Sequence, residues 1–236
     1  MHSLNNMFNK LITFGCSNTF GVGLPDCWPN TEFPSKLGWA QQLANGVSLP
    51  LTNLSRPGAS NLGILNDIIS ADITTNDLVF VMWTHMDRNR VVSSSMIADA
   101  GPWVITEKWR YKKYIKTYGK EFFDQVKNYF KYYHTENDSY NNFLMSIHYA
   151  QCYLDSKKLN YLFTVTGPWL DRVPEFLKET GYFKQINIKK ILTEKYLGTI
   201  SHNLKDKSQD NNHPGQLSND IIAKYFIKQC QHNFPK

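Results

Sequence analysis

Two short segments near opposite ends of the chain carry side chains that together could attack an ester. Near the start, Leu11-Ile12-Thr13-Phe14-Gly15-Cys16-Ser17-Asn18 is an apolar run that ends in a Gly-x-Ser turn. Near the end, Asp210-Asn211-Asn212-His213-Pro214 precedes a helical pattern. A serine hydroxyl is a poor nucleophile until a base takes its proton. That base is usually a histidine whose ring a carboxylate holds in one tautomer. Ser, Asp, His is the chain order of one kind of hydrolase triad, and Ser17, Asp210 and His213 supply its three parts in that order.

The elements around these residues must bring them together. Leu11 to Gly15 reads as a short buried strand, and Gly21, Gly23, Pro25 and Pro29 make the next stretch a loop. Ser35 to Ala44 has helical spacing and stops at Asn45-Gly46, and Pro50 to Leu54 is a second strand. Ser60 suits an N-cap for the stripe Leu62, Ile64-Leu65 and Ile68-Ile69. Asp77 to Trp83 is apolar on both faces, as in a parallel sheet covered on both sides. Helices are expected over Phe143–Leu154, Arg172–Thr180, Ile186–Tyr196 and Gln216–Gln231, with a further strand at Tyr161–Val165. The segment from about 91 to 138 differs: it is aromatic and basic, has few strand signals, and reads as a helical insertion in a single domain spanning 1–236. This alternation predicts an α/β fold with a parallel sheet. Sites in such sheets form at the carboxyl ends of the strands, where Gly15 to Ser17, Gly58 to Asn61 and Trp83 to Arg88 all fall.

These blocks resemble those of the SGNH (GDSL-like) hydrolase superfamily. The family's Gly-Asp-Ser block is similar to Gly15-Cys16-Ser17. Its second block, an asparagine-containing strand end followed by a glycine, is similar to Asn53-Leu54-Ser55-Arg56-Pro57-Gly58-Ala59-Ser60-Asn61. Its Gly-x-Asn-Asp block falls on Trp83-Thr84-His85-Met86, and its Asp-x-x-His block matches Asp210-Asn211-Asn212-His213. The resemblance implies a flavodoxin-like three-layer α/β/α sandwich with a central parallel sheet. It also implies roles. Ser17 would be the nucleophile and His213 the general base. Asp210 would hold the His213 ring, and the N–H groups of Ser17 and Gly58 would face the oxyanion.

Two positions depart from the family pattern. Cys16 stands where the family has aspartate, as a rival nucleophile or as a small buried apolar residue. His85 stands where the family has its oxyanion asparagine, either donating one N–H or packing as an ordinary histidine, with Thr84 as a weaker donor. Candidate substrate contacts are Asn61, Trp83, Thr84, Arg88, Trp103 and Trp109. Some have a second reading: Asn61 opens a helix, Arg88 pairs locally with Asp87 or another carboxylate, and Trp103 and Trp109 pack. Phe122 to Tyr133 reads as core. The segment 91–138 is expected to cap the Ser17 cleft, with Trp103, Trp109, Tyr111 and Tyr114 stacking on substrate.

Composition limits the alternatives. A chain of 236 residues is long enough to bury about 70% of its unfolded surface without staples. Cys16, Cys27, Cys152 and Cys230 form no CxxC pair, so free thiols are the expectation. His134, His148, His202 and His232 lack metal-ligand spacing, and no metal or cofactor is expected. The net charge of +6 comes without a zinc-finger or RNP signature, so scattered solubilising lysines are favoured over nucleic-acid binding. No signal peptide and no apolar run long enough to span a bilayer are seen, which suits a cytoplasmic protein or one carried on a virus particle. The resulting expectation is a serine esterase acting through an acyl-enzyme on a small-molecule or glycan ester, with carbohydrate O-acetyl esters as the substrate class the family suggests. A binding or structural protein that keeps the fold with a degenerate site is the alternative.

Overall fold

The strand Asp77–Trp83 (β3) organises the molecule, because every residue in it is buried. A computed structural model describes residues 4–92, 96–106, 108–167, 170–192 and 205–235, with no side chains described at 105, 108–111 and 113. β3 pairs in parallel with Lys10–Phe14 (β1) on one side and Asn160–Val165 (β6) on the other. Leu51–Asn53 (β2) and Ile191–Leu192 (β7) complete a parallel five-stranded sheet in the order β2-β1-β3-β6-β7.

Successive side chains of a strand leave opposite faces, and two cores follow from that alternation. Ile12, Phe14, Val79, Val81, Trp83, Tyr161 and Phe163 pack with Ile64 and Ile68 of helix Asn61–Ser70 and with Phe143 and Ile147 of helix Glu136–Ser156. Leu11, Leu78, Phe80, Met82 and Leu162 pack on the other face with Trp39 and Leu43 of helix Trp39–Val47 and with Phe226 of the closing helix Gln216–Asn233. The result is the three-layer α/β/α sandwich with a central parallel sheet. No helix among the described residues is long and apolar enough to cross a membrane.

Four expectations change. The helix expected over Arg172–Thr180 is cut to one turn, Glu175–Lys178, that starts after Pro174. The segment after β3 opens with an antiparallel hairpin, Asn89–Val92 (β4) and Ile97–Ala100 (β5), in which Arg90 sits opposite Asp99. Only then does it become helical, at Trp103–Thr106, Lys108–Tyr118 and Lys120–Asn128, with a π-helical turn at Tyr129–Tyr133. Its Phe122, Phe123, Val126 and Phe130 form a separate small core with Ala98, Ala100 and Val104. Within the expected helix Ile186–Tyr196, Ile191 and Leu192 instead pair with Phe163 and Thr164, and residues 193–196 lie outside the described residues. Finally, helix Trp39–Val47 starts four residues later than the periodicity suggests, after the Ser35 hydroxyl has donated to Asp26 Oδ1 at 2.5 Å.

Candidate active site

Ser17 is the first residue of a one-turn helix, Ser17–Phe20, that follows β1 directly. Cys16 just before it is fully buried in the sheet core, whereas Ser17 lines a cleft of about 1080 Å³. The Ser17 turn is held by its neighbours: Arg56 N–H donates to Gly15 O at 3.1 Å, and Asn53 Nδ2 donates to Thr19 O at 3.1 Å. These bonds set the Gly58 loop beside the serine. Gly58 has a φ of +83°, a left-handed backbone that glycine adopts without steric cost. Gly58 also lines the cleft, and neither its N–H nor that of Ser17 donates to any other described residue.

Asp210 and His213 reach the same cleft from the far end of the chain. The approach runs through Gly23, which has a φ of +87° and whose O accepts from Gln209 N–H at 3.0 Å. A Cβ on Gly23 would stand 2.4 Å from Ser208 Oγ and 2.8 Å from Asp210 Oδ1, so the two loops meet only because no side chain intervenes. The loop closes on itself where Ser208 N–H donates to His213 O at 3.0 Å. Asn219 Oδ1 accepts from Trp39 N–H at 2.9 Å while its Nδ2 donates to Pro214 O, which ties the loop to both helices beneath it.

Within the loop, His213 Nδ1–H donates to Asp210 Oδ2 at 2.5 Å. Asp210 Oδ1 accepts from Ser208 Oγ at 2.6 Å, Asn212 N–H at 3.0 Å and His213 N–H at 3.1 Å. Burial alone would push the Asp210 carboxyl up. The donors outweigh it and hold the group below the usual carboxylate range. A charged Asp210 fixes the ring tautomer and leaves His213 Nε2 as an acceptor. Ser17 Oγ has Cys16 Sγ at 4.0 Å as its neighbour, and no hydrogen bond joins it to His213 in this structure. The arrangement holds an oriented imidazole on the wall of the cleft that Ser17 and Gly58 also line, with the N–H groups of those two residues not taken by other described residues.

The other sequence candidates divide. Arg88 and Trp103 line the cleft, with the guanidinium 5.0 Å from the indole centroid. The expected local pairing with Asp87 is not formed among the described residues: Asp87 Oδ1 and Arg88 Nε and Nη1 are left without a partner. Tyr114 also lines it, its hydroxyl donating to Asp99 O. Asn61, Trp83, Thr84 and His85 do not line it. Trp83 is fully buried against Phe163 because β3 is covered on both faces. Asn61 is buried and clamps the strand end instead: its Oδ1 accepts from Thr84 N–H at 2.9 Å and its Nδ2 donates to His85 O at 3.2 Å. Thr84 is thereby buried under the loop. Burial, then the charge of Arg88, lower the His85 ring below the ordinary imidazole value, so it is neutral, but it is not part of the cleft wall. The side chains of Trp109 and Tyr111 lie outside the described residues, although both backbones belong to helix Lys108–Tyr118. Among the described residues no group of three His, Cys, Asp or Glu side chains could hold a metal.

Several cleft residues carried no clear sequence signal. Trp28 lines it from the loop after the Ser17 helix, and Tyr118 from the aromatic segment. Asp99 is the hub of the wall between them. It accepts from Ser60 Oγ at 2.7 Å, Arg90 Nε at 3.0 Å and Arg56 Nη2 at 3.4 Å, joining the hairpin to the loops at the sheet's carboxyl edge. A charge pattern, Arg90 and Asp99 nine residues apart, was the available clue, but reading it required the hairpin register.

No family model and no curated protein matches this sequence. Solved structures do. An acetyl xylan esterase from the rumen bacterium Butyrivibrio proteoclasticus superposes with a TM-score of 0.54 at 11% identity, over 95% of this chain and 64% of that one. A carbohydrate esterase described as having divergent catalytic and non-catalytic binding functions gives a TM-score of 0.54 at 11% identity, over 95% and 65%. This chain therefore spans a little under two thirds of those two proteins. A catalytic mutant of an acetylxylan esterase from Geobacillus stearothermophilus gives a TM-score of 0.50 at 11% identity, over 97% and 95%. With the sheet order, the covering helices and these superpositions in agreement, the chain has the fold of the SGNH (GDSL-like) hydrolases.

Proposed function

We propose that this chain is a serine ester hydrolase. The observation that carries the reading is the His213–Asp210 pair, locked at 2.5 Å on the wall of the same cleft that Ser17 lines. Ser17 Oγ attacks the ester carbonyl carbon as His213 Nε2 takes the hydroxyl proton. The N–H groups of Ser17 and Gly58 receive the oxyanion, a contribution of about 3 kcal/mol for each well-aimed donor. The C–O bond to the alcohol then breaks, and His213 returns the proton to the departing oxygen. Water repeats the sequence on the acyl-enzyme: its proton goes to His213, its oxygen to the carbonyl carbon, and the acid leaves as Ser17 regains its proton.

The substrate class we favour is a short acyl ester on a carbohydrate. Similar structures are described as acetyl xylan esterases, and Trp28, Trp103 and Tyr118 give the cleft aromatic walls suited to sugar faces. In this reading the segment 89–133 is a cap within a single domain, and its aromatic side chains set the alcohol specificity. A second reading, a binding protein with an idle site, is favoured by one feature: Ser17 Oγ neighbours Cys16 Sγ rather than His213. A fluorophosphonate probe separates the two. Labelling of the protein that Ser17→Ala abolishes is the expected result, and an unlabelled, folded protein would leave the binding reading.

A further inference from the structure

The chain's net charge of +6 is not scattered. The helical pieces of the cap, Lys108–Tyr118, Lys120–Asn128 and Tyr129–Tyr133, hold eight of its 26 lysines and arginines but only two of its 20 acids, Glu121 and Asp124. The rest of the chain is balanced at 18 of each, so the whole excess sits on this one segment. Lys112, Lys116, Lys120, Lys127 and Lys131 are all exposed. Lys120 reaches Asp124 at 3.4 Å, whereas Lys112, Lys116 and Lys127 make no ion pair among the described residues. On the π-helical turn, Lys131 lies 4.7 Å from the Tyr132 ring centroid, and Tyr132 and Tyr133 are 64% and 72% exposed.

We infer that the basic face of the cap docks an acidic polysaccharide, a chain that then crosses the cap and presents its ester in the Ser17 cleft. The role of that chain as substrate rests on the esterase reading above. A surface that served solubility alone would intersperse both signs, as the rest of this chain does, whereas an unpaired field of one sign draws in anions. Geometry selects the kind of polyanion. Tyr114, Thr117 and Tyr118 of helix Lys108–Tyr118 line the cleft, and Lys112 and Lys116 fall about half a turn around the same helix. A single helix, about 10–12 Å across with its side chains, therefore separates the basic face from the cleft. A flexible chain bends over that ridge and occupies both sides. A flat bilayer or a rigid duplex would lie against the outer face only. A single nucleic-acid strand is flexible too, but its phosphodiesters carry no acyl ester for the cleft. Lysines, as point charges on flexible stems, suit carboxylates spaced along a polymer, and the exposed Tyr132 and Tyr133 rings give sugar faces an apolar surface beside a hydroxyl.

Fluorescence anisotropy with the Ser17→Ala protein tests this without turnover. Labelled polygalacturonate should bind and labelled neutral dextran should not. The polygalacturonate affinity should fall about tenfold or more between about 50 and 200 mM NaCl, as the polymer takes back the counterions that the lysines displaced. Adding Lys112→Gln, Lys116→Gln and Lys127→Gln together should weaken binding about tenfold at the lower salt, with an unchanged melting curve. With Ser17 in place, the same three substitutions should raise KM for acetylated polygalacturonate and leave its kcat and the hydrolysis of p-nitrophenyl acetate unchanged, because no lysine lines the cleft among the described residues. Failure to bind polygalacturonate, or binding that both salt and the triple substitution leave intact, overturns the inference. Tighter binding, per negative charge, to an oligothymidylate or to vesicles of phosphatidylcholine and phosphatidylserine also overturns it, and points to a nucleic acid or a membrane instead. If polygalacturonate is held through the three lysines but the wild type releases no acid from any acyl ester, the docking surface stands and the esterase reading fails.

Discussion

Replacing Asp99 by asparagine should loosen the aromatic segment from the rest of the protein, and the cost can be worked from the contacts. The Asp99 side chain is 9% exposed and receives Ser60 Oγ at 2.7 Å, Arg90 Nε at 3.0 Å and Arg56 Nη2 at 3.4 Å. Arg56 would keep Asp67 at 2.8 Å, but Arg90, 14% exposed, has no second ion pair among the described residues. An amide of the same shape offers one acceptor and turns an N–H₂ toward a cation. Removing one partner of a buried pair costs about 3–5 kcal/mol, and the partial exposure of Arg90 places the expected loss at about 3. With a urea slope of about 2–3 kcal/mol per molar, the unfolding midpoint should fall by about 1 M. Arg90→Met in the Asp99→Asn background should recover part of that loss, because the stranded cation is gone. A midpoint within about 0.2 M of wild type would refute the argument, as would single-mutant losses that add within about 0.5 kcal/mol.

Further outcomes follow from the cleft. Ser17→Ala should abolish hydrolysis of p-nitrophenyl acetate, while Cys16→Ala should keep most of it. Blockage by iodoacetamide that Cys16→Ala removes would reverse that assignment. Asp210→Asn should lower kcat less than His213→Ala does, since the carboxylate orients a base that the second variant lacks. Gly58→Ala should cost about 1–2 kcal/mol in urea unfolding through its φ of +83° alone, because a Cβ there meets nothing within 4 Å. The folded Asp210 carboxyl lies below its unfolded value, so its stabilising contribution is complete above the unfolded carboxylate pKa of about 3.9. It is lost as pH falls through the folded value. The melting-temperature gap between wild type and Asp210→Asn should therefore narrow from about pH 6 to about pH 3, and a gap that widens would contradict the hydrogen-bond account.

The sheet was legible where a strand is apolar on both faces. Asp77–Trp83 and the apolar stretch inside Asn160–Val165 stand out because a central parallel strand has no wet side. Ile191–Leu192 did not, since two residues carry no period and Ile188, Ile191 and Leu192 also fit a helical stripe. The hairpin Asn89–Ala100 hid for another reason. Its cross-strand pair Arg90–Asp99 is polar and is buried against other loops, so the alternation that marks a half-buried strand is missing.

The site divides along a similar line. Gly15-Cys16-Ser17 and Asp210-Asn211-Asn212-His213 were readable because their geometry is set locally: a strand running into a turn, and a carboxylate that accepts from the N–H groups two and three residues on. His85 was not, because matching it by order along the chain says nothing about which neighbour holds the backbone. Asn61 does that. Its amide takes Thr84 N–H and His85 O together, closing off the end of β3, and the chain reaches the cleft three residues later at Arg88. An asparagine that might have faced substrate serves as a brace, and the residue it displaces toward the cleft is a cation rather than a neutral donor. The sequence block and the site therefore coincide in position along the sheet edge but not in chemistry.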